Sequence, residues 1–231
     1  MKLKGTKCTQ PVDANKTCIH CDGRCVKNGC AYGKQRFLCR SCNRTFVAFY
    51  TYTGYCKNVD NGIITHLKEG CGIRSIGRLL TIGKATVLRR IIRIADSIKK
   101  PAIVFGQTYE LDELCTYVQQ KTKQCWVVYA LSRDTKVVVD FTVGTRSNAV
   151  LKRVTDTLLL SGAKKIYTDK LKQYTTLLPG SIHATSLHGT NHIERMNLTL
   201  RTHLKRLGRR TICFSKSIAM LVACLKIYFW G

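Results

Sequence analysis

The fold is decided by Gln107-Thr108-Tyr109-Glu110-Leu111-Asp112, then Gln124-Cys125-Trp126-Val127-Val128-Tyr129-Ala130-Leu131 and Val137-Val138-Val139-Asp140-Phe141-Thr142-Val143. These runs are rich in Val, Tyr and Thr, as strands are; the first is predicted to start at Ile103 and to end at Asp112. A helix over 148–160, a strand closed by Asp169, a short strand near Ile182 and a helix bearing Glu194 follow. Strands first, then helix and strand in alternation, predict a mixed sheet flanked by helices, an α+β or α/β class.

Working outward, Lys99-Lys100-Pro101 ends a stretch of helical periodicity that begins near Lys57, because proline stops a helix and a charged pair suits a linker. Residues 16–50 are rich in Cys, Gly and Arg and poor in aliphatic runs, so they need a staple in place of a core. The expected divisions are a tail at 1–15, a cysteine-stapled module at 16–50, a helical module at 56–98 and the sheet domain at 102–231. The apolar segment from Ile218 to Trp230 is broken by Lys226 and too short to cross a bilayer; a core helix is expected.

The chain carries 39 Lys+Arg against 13 Asp+Glu, a net charge of +26 over 231 residues. That excess points to a polyanionic partner. Basic residues are spread through every segment and not gathered on one amphipathic helix, so nucleic acid is favoured over membrane. The N-terminus lacks the apolar stretch of a signal peptide. A cytoplasmic location is expected, with the thirteen cysteines as reduced thiols or metal ligands.

Cys18-x2-Cys21 and Cys39-x2-Cys42 are separated by seventeen residues, a spacing that reads as a zinc site. Each pair forms a knuckle with two thiolates, and two knuckles complete a closed tetrahedral shell that leaves no open position. The zinc is therefore structural, with Cys25, Cys30 and His20 as alternative ligands. Arg36, between the pairs, is a candidate phosphate contact.

Residues 72–80, the turn 81–83 and residues 84–91 have the form of two helices across a tight turn. Gly77 lies where the helices would cross, and Ile76, Leu80, Val87 and Ile91 supply a shared core. The second helix is expected to present Lys84, Thr86, Arg89, Arg90 and Arg93 outward, as a major-groove reader does.

Ile193, Met196, Leu200, Leu204 and Leu207 recur at steps of three and four and make one buried stripe. Glu194 and Arg201, two turns apart, flank that stripe. Asp112 and Asp169 at the ends of apolar strands, with Glu194 on a helix edge, are the carboxylates that a two-metal phosphoryl-transfer site needs, and three acids suffice for Mg2+ or Mn2+. Arg201 would hold a phosphate. His188 and His192 are read as polar surface residues.

The zinc pair with 35–46, the helix-turn-helix, Leu111-Asp112-Glu113, Tyr167-Thr168-Asp169, Ile193-Glu194-Arg195-x-Asn197-Leu198-x-Leu200-Arg201-x-His203-Leu204-x-Arg206-Leu207-Gly208-Arg209 and Phe214-Ser215-Lys216-Ser217 together resemble the transposases of the insertion-sequence-one family. The resemblance spans almost the whole chain. It implies an RNase H-like catalytic domain with an Asp-Asp-Glu triad, matched by Asp112, Asp169 and Glu194, and a basic residue matched by Arg201. It implies that zinc ribbon and helix-turn-helix bind the inverted terminal repeats of an element. Metal-dependent cleavage and strand transfer, double-stranded DNA as partner, and a dimer or higher assembly on nucleoid DNA follow from it. The alternative reading is a zinc-ribbon/helix-turn-helix repressor with an inactive catalytic domain. Glu113, beside Asp112, is the second acid able to take that ligand position.

Overall fold

A computed structural model describes residues 17–48, 51–56, 58–186, 188–208, 210–211 and 213–231. The expected tail at 1–15, Lys57 at the expected start of the helical stretch, and Arg209 of the last motif lie outside them.

The N-terminal part is a three-stranded antiparallel sheet of β1 (Cys25–Ala31), β2 (Lys34–Cys39) and β3 (Thr45–Val47). Its core is small: Cys18, Cys25, Cys39 and Phe46 are buried, with Phe37 stacked on Phe46. So few apolar groups cannot hold a fold alone, as the composition required.

Three helices follow: α1 (Val59–Lys68), α2 (Ile73–Leu79) and α3 (Lys84–Ser97). Ile63, Leu67, Ile76, Val87 and Ile91 are fully buried between them. Between α2 and α3 a Cβ at position 77 would come within 2.9 Å of Ile82 O, so only glycine fits the approach, and Thr81 takes a left-handed conformation (φ 55°) to make the turn.

The second sheet has the order β6-β5-β4-β7-β8, from β4 (Thr108–Tyr117), β5 (Gln124–Ser132), β6 (Val138–Gly144), β7 (Lys165–Thr168) and β8 (His183–Ala184). β4, β5 and β6 run antiparallel; β7 and β8 join them in parallel. Parallel pairing needs a crossover, and α4 (Asn148–Leu160) supplies it between β6 and β7. α5 (Lys172–Leu177), α6 (Asn191–His203) and α7 (Ile218–Trp230) complete the chain. The result is the mixed sheet flanked by helices that the sequence predicted.

Side chains alternate across β4. Tyr109 and Leu111 enter a core with Leu151, Val154 and Leu158 of α4 and Tyr174 of α5. On the other face Leu114 joins a core that includes Ile193 and Leu200 of α6, Leu221 and Leu225 of α7, and the buried residues of α1 to α3. The helices at 59–97 and this face of the sheet thus share one apolar interior. α7 is its axis: Lys226 Nζ donates to Ala95 O at 2.9 Å, Trp230 Nε1 to Val138 O at 2.7 Å, and Phe229 stacks on Tyr129.

Two expectations need correction. β4 begins at Thr108 and not at Ile103, because Gly106 (φ 69°) turns the chain and its N–H is bonded to Ser161 O beyond α4. Asp112 does not end the strand; β4 continues to Tyr117 because Glu113 to Tyr117 keep pairing with β5. What ends at that level is the neighbour: the β4–β7 register closes at Leu111↔Thr168.

Candidate metal centres

The β4–β7 register sets the first centre. After Leu111↔Thr168 the next residues of the two parallel strands are Asp112 and Asp169, so two carboxylates stand side by side where β7 stops. Asp112, Glu113 and Asp169 each offer an oxygen within 4.8 Å of the others. Asp169 is exposed and Glu113 buried. Asp169 Oδ1 also accepts the N–H of Leu171, which steers its side chain at the strand end.

Asp112 Oδ1 accepts the Glu113 N–H at 2.7 Å and Oδ2 accepts Asn197 Nδ2 at 2.6 Å. Burial pushes its carboxyl up to about 6; the Glu113 and Asp169 charges push the same way, while the Glu113 N–H and Asn197 pull it down. Glu113 points to the opposite face of β4. Arg146 binds its Oε2 through Nε (3.2 Å) and Nη2 (2.9 Å), and the Tyr174 hydroxyl donates to its Oε1. Arg146 itself lies 4.6 Å from the Trp126 ring centroid. Both Glu113 oxygens and both Asp112 oxygens thus accept from protein donors; a carboxylate oxygen has two lone pairs, so one donor on each leaves room for a metal.

Glu194 is not in this group of three. It lies exposed in the first turn of α6, with Thr190 Oγ1 donating to its Oε1 at 2.8 Å. Its helix is nonetheless bound to the acid cluster, since Asn197 is one turn further on and holds Asp112. Arg201, two turns after Glu194, lies close enough to Tyr129 for its charge to lower that phenol's pKa, though burial raises it more. α6 ends at His203, yet Leu204 and Leu207 stay buried; the apolar stripe outlasts the helix through a following 3-10 turn.

Arg146 offsets the charge of Glu113, which leaves the adjacent Asp112 and Asp169 carboxylates, the donor type that Mg2+ or Mn2+ takes. The donor set fits. A second group is Cys18, Cys21, Cys39 and Cys42, again within 4.8 Å. Cys18 Sγ is 3.6 Å from Cys42 Sγ, as Cys21 Sγ is from Cys39 Sγ. The Cys42 N–H, above all, holds the Cys39 thiol down. Against the downward pull of the Gly23 backbone, hydrogen bonds with Cys39 and Cys42 push the Cys21 thiol up, so the cluster shares negative charge that a metal would draw onto all four sulfurs. Four sulfurs at this separation fit a tetrahedral zinc shell. Of the alternatives, Cys25 is buried, its thiol pushed up to about 11 by burial and bonded to Gly23 O, while Cys30 and His20 are exposed; among the described residues none of the three joins the group. The expectation that every cysteine is a reduced thiol or ligand fails at Cys56, which is disulfide-bonded.

On α3, Lys84, Arg89 and Arg93 are exposed. Arg90 is not directed outward as expected: its guanidinium is bonded to Asp60 and Gly54 O and its side chain is only 14% exposed. Thr86 is half-buried and bonded to Tyr52 OH. Arg36 is half-buried on β2.

Sequence reasoning missed Asn197, Tyr129 and Glu110. Glu110 is fully buried and bound by His192 Nδ1 (2.6 Å), Ile193 N (2.9 Å) and Arg133 Nε (3.2 Å). The period-two pattern carried a signal for it, since Glu110 and Asp112 share a face; Asn197 likewise lies one turn after Glu194.

Comparison with known proteins agrees with this layout. Residues 104–229 match the IS1 transposase family, which is the whole of the second sheet and its helices. The insertion element IS1 protein InsB of Shigella flexneri is 40% identical over 111 residues, 48% of this chain and 85% of that protein. The insertion element IS1 4 protein InsB of Escherichia coli K12 is 40% identical over 48% of this chain and 66% of that one. A cryo-EM structure of the simian T-cell lymphotropic virus intasome with the PP2A regulatory subunit B56 gamma aligns over 71% of this chain and 66% of that one. Its TM-score of 0.38 and 14% identity are too low to bear on fold or function. With its matched sheet, its helices and 40% identity to InsB proteins, the chain belongs to the IS1 transposase family.

Proposed function

We propose that this protein is a DNA transposase that binds the terminal inverted repeats of its element and catalyses metal-dependent cleavage and strand transfer. The observation that carries the reading is the convergence of Asp112 and Asp169 at the end of β7, with Glu113 completing an oxygen cluster within 4.8 Å, inside the segment that matches the family.

Asp112 and Asp169 are the catalytic metal ligands in this reading. Mg2+ or Mn2+ held there would polarise the scissile phosphate and activate the attacking oxygen. Glu113, held by Arg146 and Tyr174, shapes the field from behind the strand. Glu194, in the first turn of the helix whose Asn197 holds Asp112, would be the third metal ligand. Arg201 binds a DNA phosphate beside the reacting strand. Cleavage exposes 3′-hydroxyls, and each then attacks a target phosphodiester, so that one bond breaks as another forms. Joining two ends in one event requires a dimer or higher assembly on DNA.

The zinc ribbon at 16–50, stapled by Cys18, Cys21, Cys39 and Cys42, and a helix-turn-helix within 56–98 would hold the element ends. Arg36, Lys84, Thr86, Arg89 and Arg93 are the proposed contacts; Arg90 supports them from its pair with Asp60. Among the described residues no helix is long and apolar enough to cross a membrane, and the proposed place of action is the nucleoid. The repressor alternative is not favoured, since the aspartates keep a ligand geometry that a dead domain has no need of.

The deciding experiment mixes purified protein, Mg2+ or Mn2+ and labelled element ends, and compares wild type with Glu194→Gln and Asp169→Asn. Joined products from wild type and none from either variant are expected. Undiminished strand transfer by Asp169→Asn, or end binding with no cleavage by wild type, would overturn the reading.

A further inference from the structure

α6 has no side-chain cap of its own. Its N-cap residue Thr190 makes no capping bond to the backbone and instead donates to Glu194. The first-turn N–H groups of a helix need acceptors from elsewhere. One comes from β4: Glu110 Oε2 accepts the Ile193 N–H at 2.9 Å while Oε1 takes His192 Nδ1 at 2.6 Å and Arg133 Nε at 3.2 Å. A carboxylate at this end also meets the positive end of the helix dipole.

Two residues along the same face of β4, Asp112 takes Asn197, four residues along α6. The two rungs match in length: two strand residues rise about 6.6 Å and four helical residues about 6 Å. Strand and helix are therefore pinned at two points in register, and Glu194 lies between them. Arg133 extends the first rung, since its guanidinium lies 4.4 Å from the Tyr167 ring centroid on β7, two residues before Asp169.

We propose that Glu110 is a positioning residue: it clamps the first turn of α6 onto β4 and so fixes where Glu194 stands relative to Asp112 and Asp169. The clamp itself is a statement about the fold; its effect on metal binding rests on the function proposed above. The two are read separately.

Amide hydrogen exchange on the full-length protein without metal reads the clamp. In Glu110→Ala the amides from Ile193 to Asn197 exchange about tenfold faster or more, relative to those of β5. Glu110→Gln, which keeps an acceptor for Ile193, restores most of the protection. Mn2+ titration followed by electron paramagnetic resonance reads the consequence: Glu110→Ala and Asn197→Ser each weaken Mn2+ binding per folded molecule by about 10- to 100-fold. A merely structural role would lower the melting temperature and leave both readings alone.

Unchanged exchange in α6, or Glu110→Gln behaving no better than Glu110→Ala, overturns the clamp. If Glu110→Ala does not fold, Glu110→Met fills the same buried space and removes the acceptor for the Ile193 N–H: faster exchange confined to the first turn of α6 supports the clamp and unchanged exchange overturns it. Loss of protection with Mn2+ affinity indifferent to Asp112→Ala overturns the metal reading and leaves the clamp standing.

Discussion

Tyr129 fixes which way the Asn197 amide points. Its hydroxyl donates to Asn197 Oδ1 at 2.8 Å, with Ile193 O at 3.2 Å as a second acceptor, and burial holds the phenol protonated by raising its pKa. With Oδ1 committed to a donor, Nδ2 is left facing Asp112. An amide turned the other way would set oxygen against carboxylate.

Tyr129→Phe keeps the stacking on Phe229 and deletes only the donor. It should lower stability by about 1–2 kcal/mol, read as a shift in urea midpoint with unchanged slope. A double-mutant cycle with Asn197→Ala should show coupling of at least about 0.5 kcal/mol. Strictly additive effects would mean that the hydroxyl does not act through the amide.

Proton and metal should compete at Asp112. Burial raises its pKa in the folded protein to about 6, above the ordinary carboxylate range, so the apo protein binds this proton more tightly than the unfolded chain does. The group therefore favours the folded state below about pH 4, and that contribution is lost as pH rises toward 6. A protonated carboxyl is a poor ligand for a hard cation, so stabilisation by Mg2+ should run the other way. The rise in melting temperature on adding Mg2+ should be small at pH 5, grow through pH 6 and level off above about pH 7. A shift independent of pH between 5 and 7 would show that Asp112 is not a ligand.

The strands and helices were legible because their signals are local. Alternating Val, Tyr and Thr runs located β5 and β6, and the stripe from Ile193 to Leu207 located the buried face of α6. Asp112 and Asp169 were found as acids closing apolar runs, although Asp112 is mid-strand; its special position comes from the end of its neighbour β7, which no local pattern records. The α6 partners of Glu110 and Asp112 lie 82 to 85 residues away, and Arg90 reaches back 30 residues to Asp60. Such contacts depend on sheet order and helix docking, which periodicity does not specify. Arg90 was thus read as outward with the other polar positions of its helix.

Removing the zinc proposed for Cys18, Cys21, Cys39 and Cys42 should unfold one part of the protein only. The buried set Cys18, Cys25, Cys39 and Phe46 shares no residue with the two large cores and is too small to persist without metal. Chelation, or Cys39→Ser, should release zinc and make residues 17–48 sensitive to protease, while the main thermal transition does not move. Loss of the whole fold on chelation would show that the ribbon supports the rest.

Arg89 and Arg90 are adjacent, yet their substitutions should differ in kind. Arg89 is exposed on α3, whereas Arg90 is bonded to Asp60 and to the backbone at Gly54. Arg90→Ala leaves Asp60 with Arg93 alone and should cost about 1–3 kcal/mol of stability. Arg89→Ala should leave stability unchanged and weaken DNA binding by removing one phosphate contact, which lowers the slope of log affinity against log salt by about 1. Fluorescence anisotropy over a salt series, beside thermal melts of both variants, makes the comparison. A steeper loss of affinity in folded Arg90→Ala than in Arg89→Ala would place Arg90 on the DNA and the structural pair in second place.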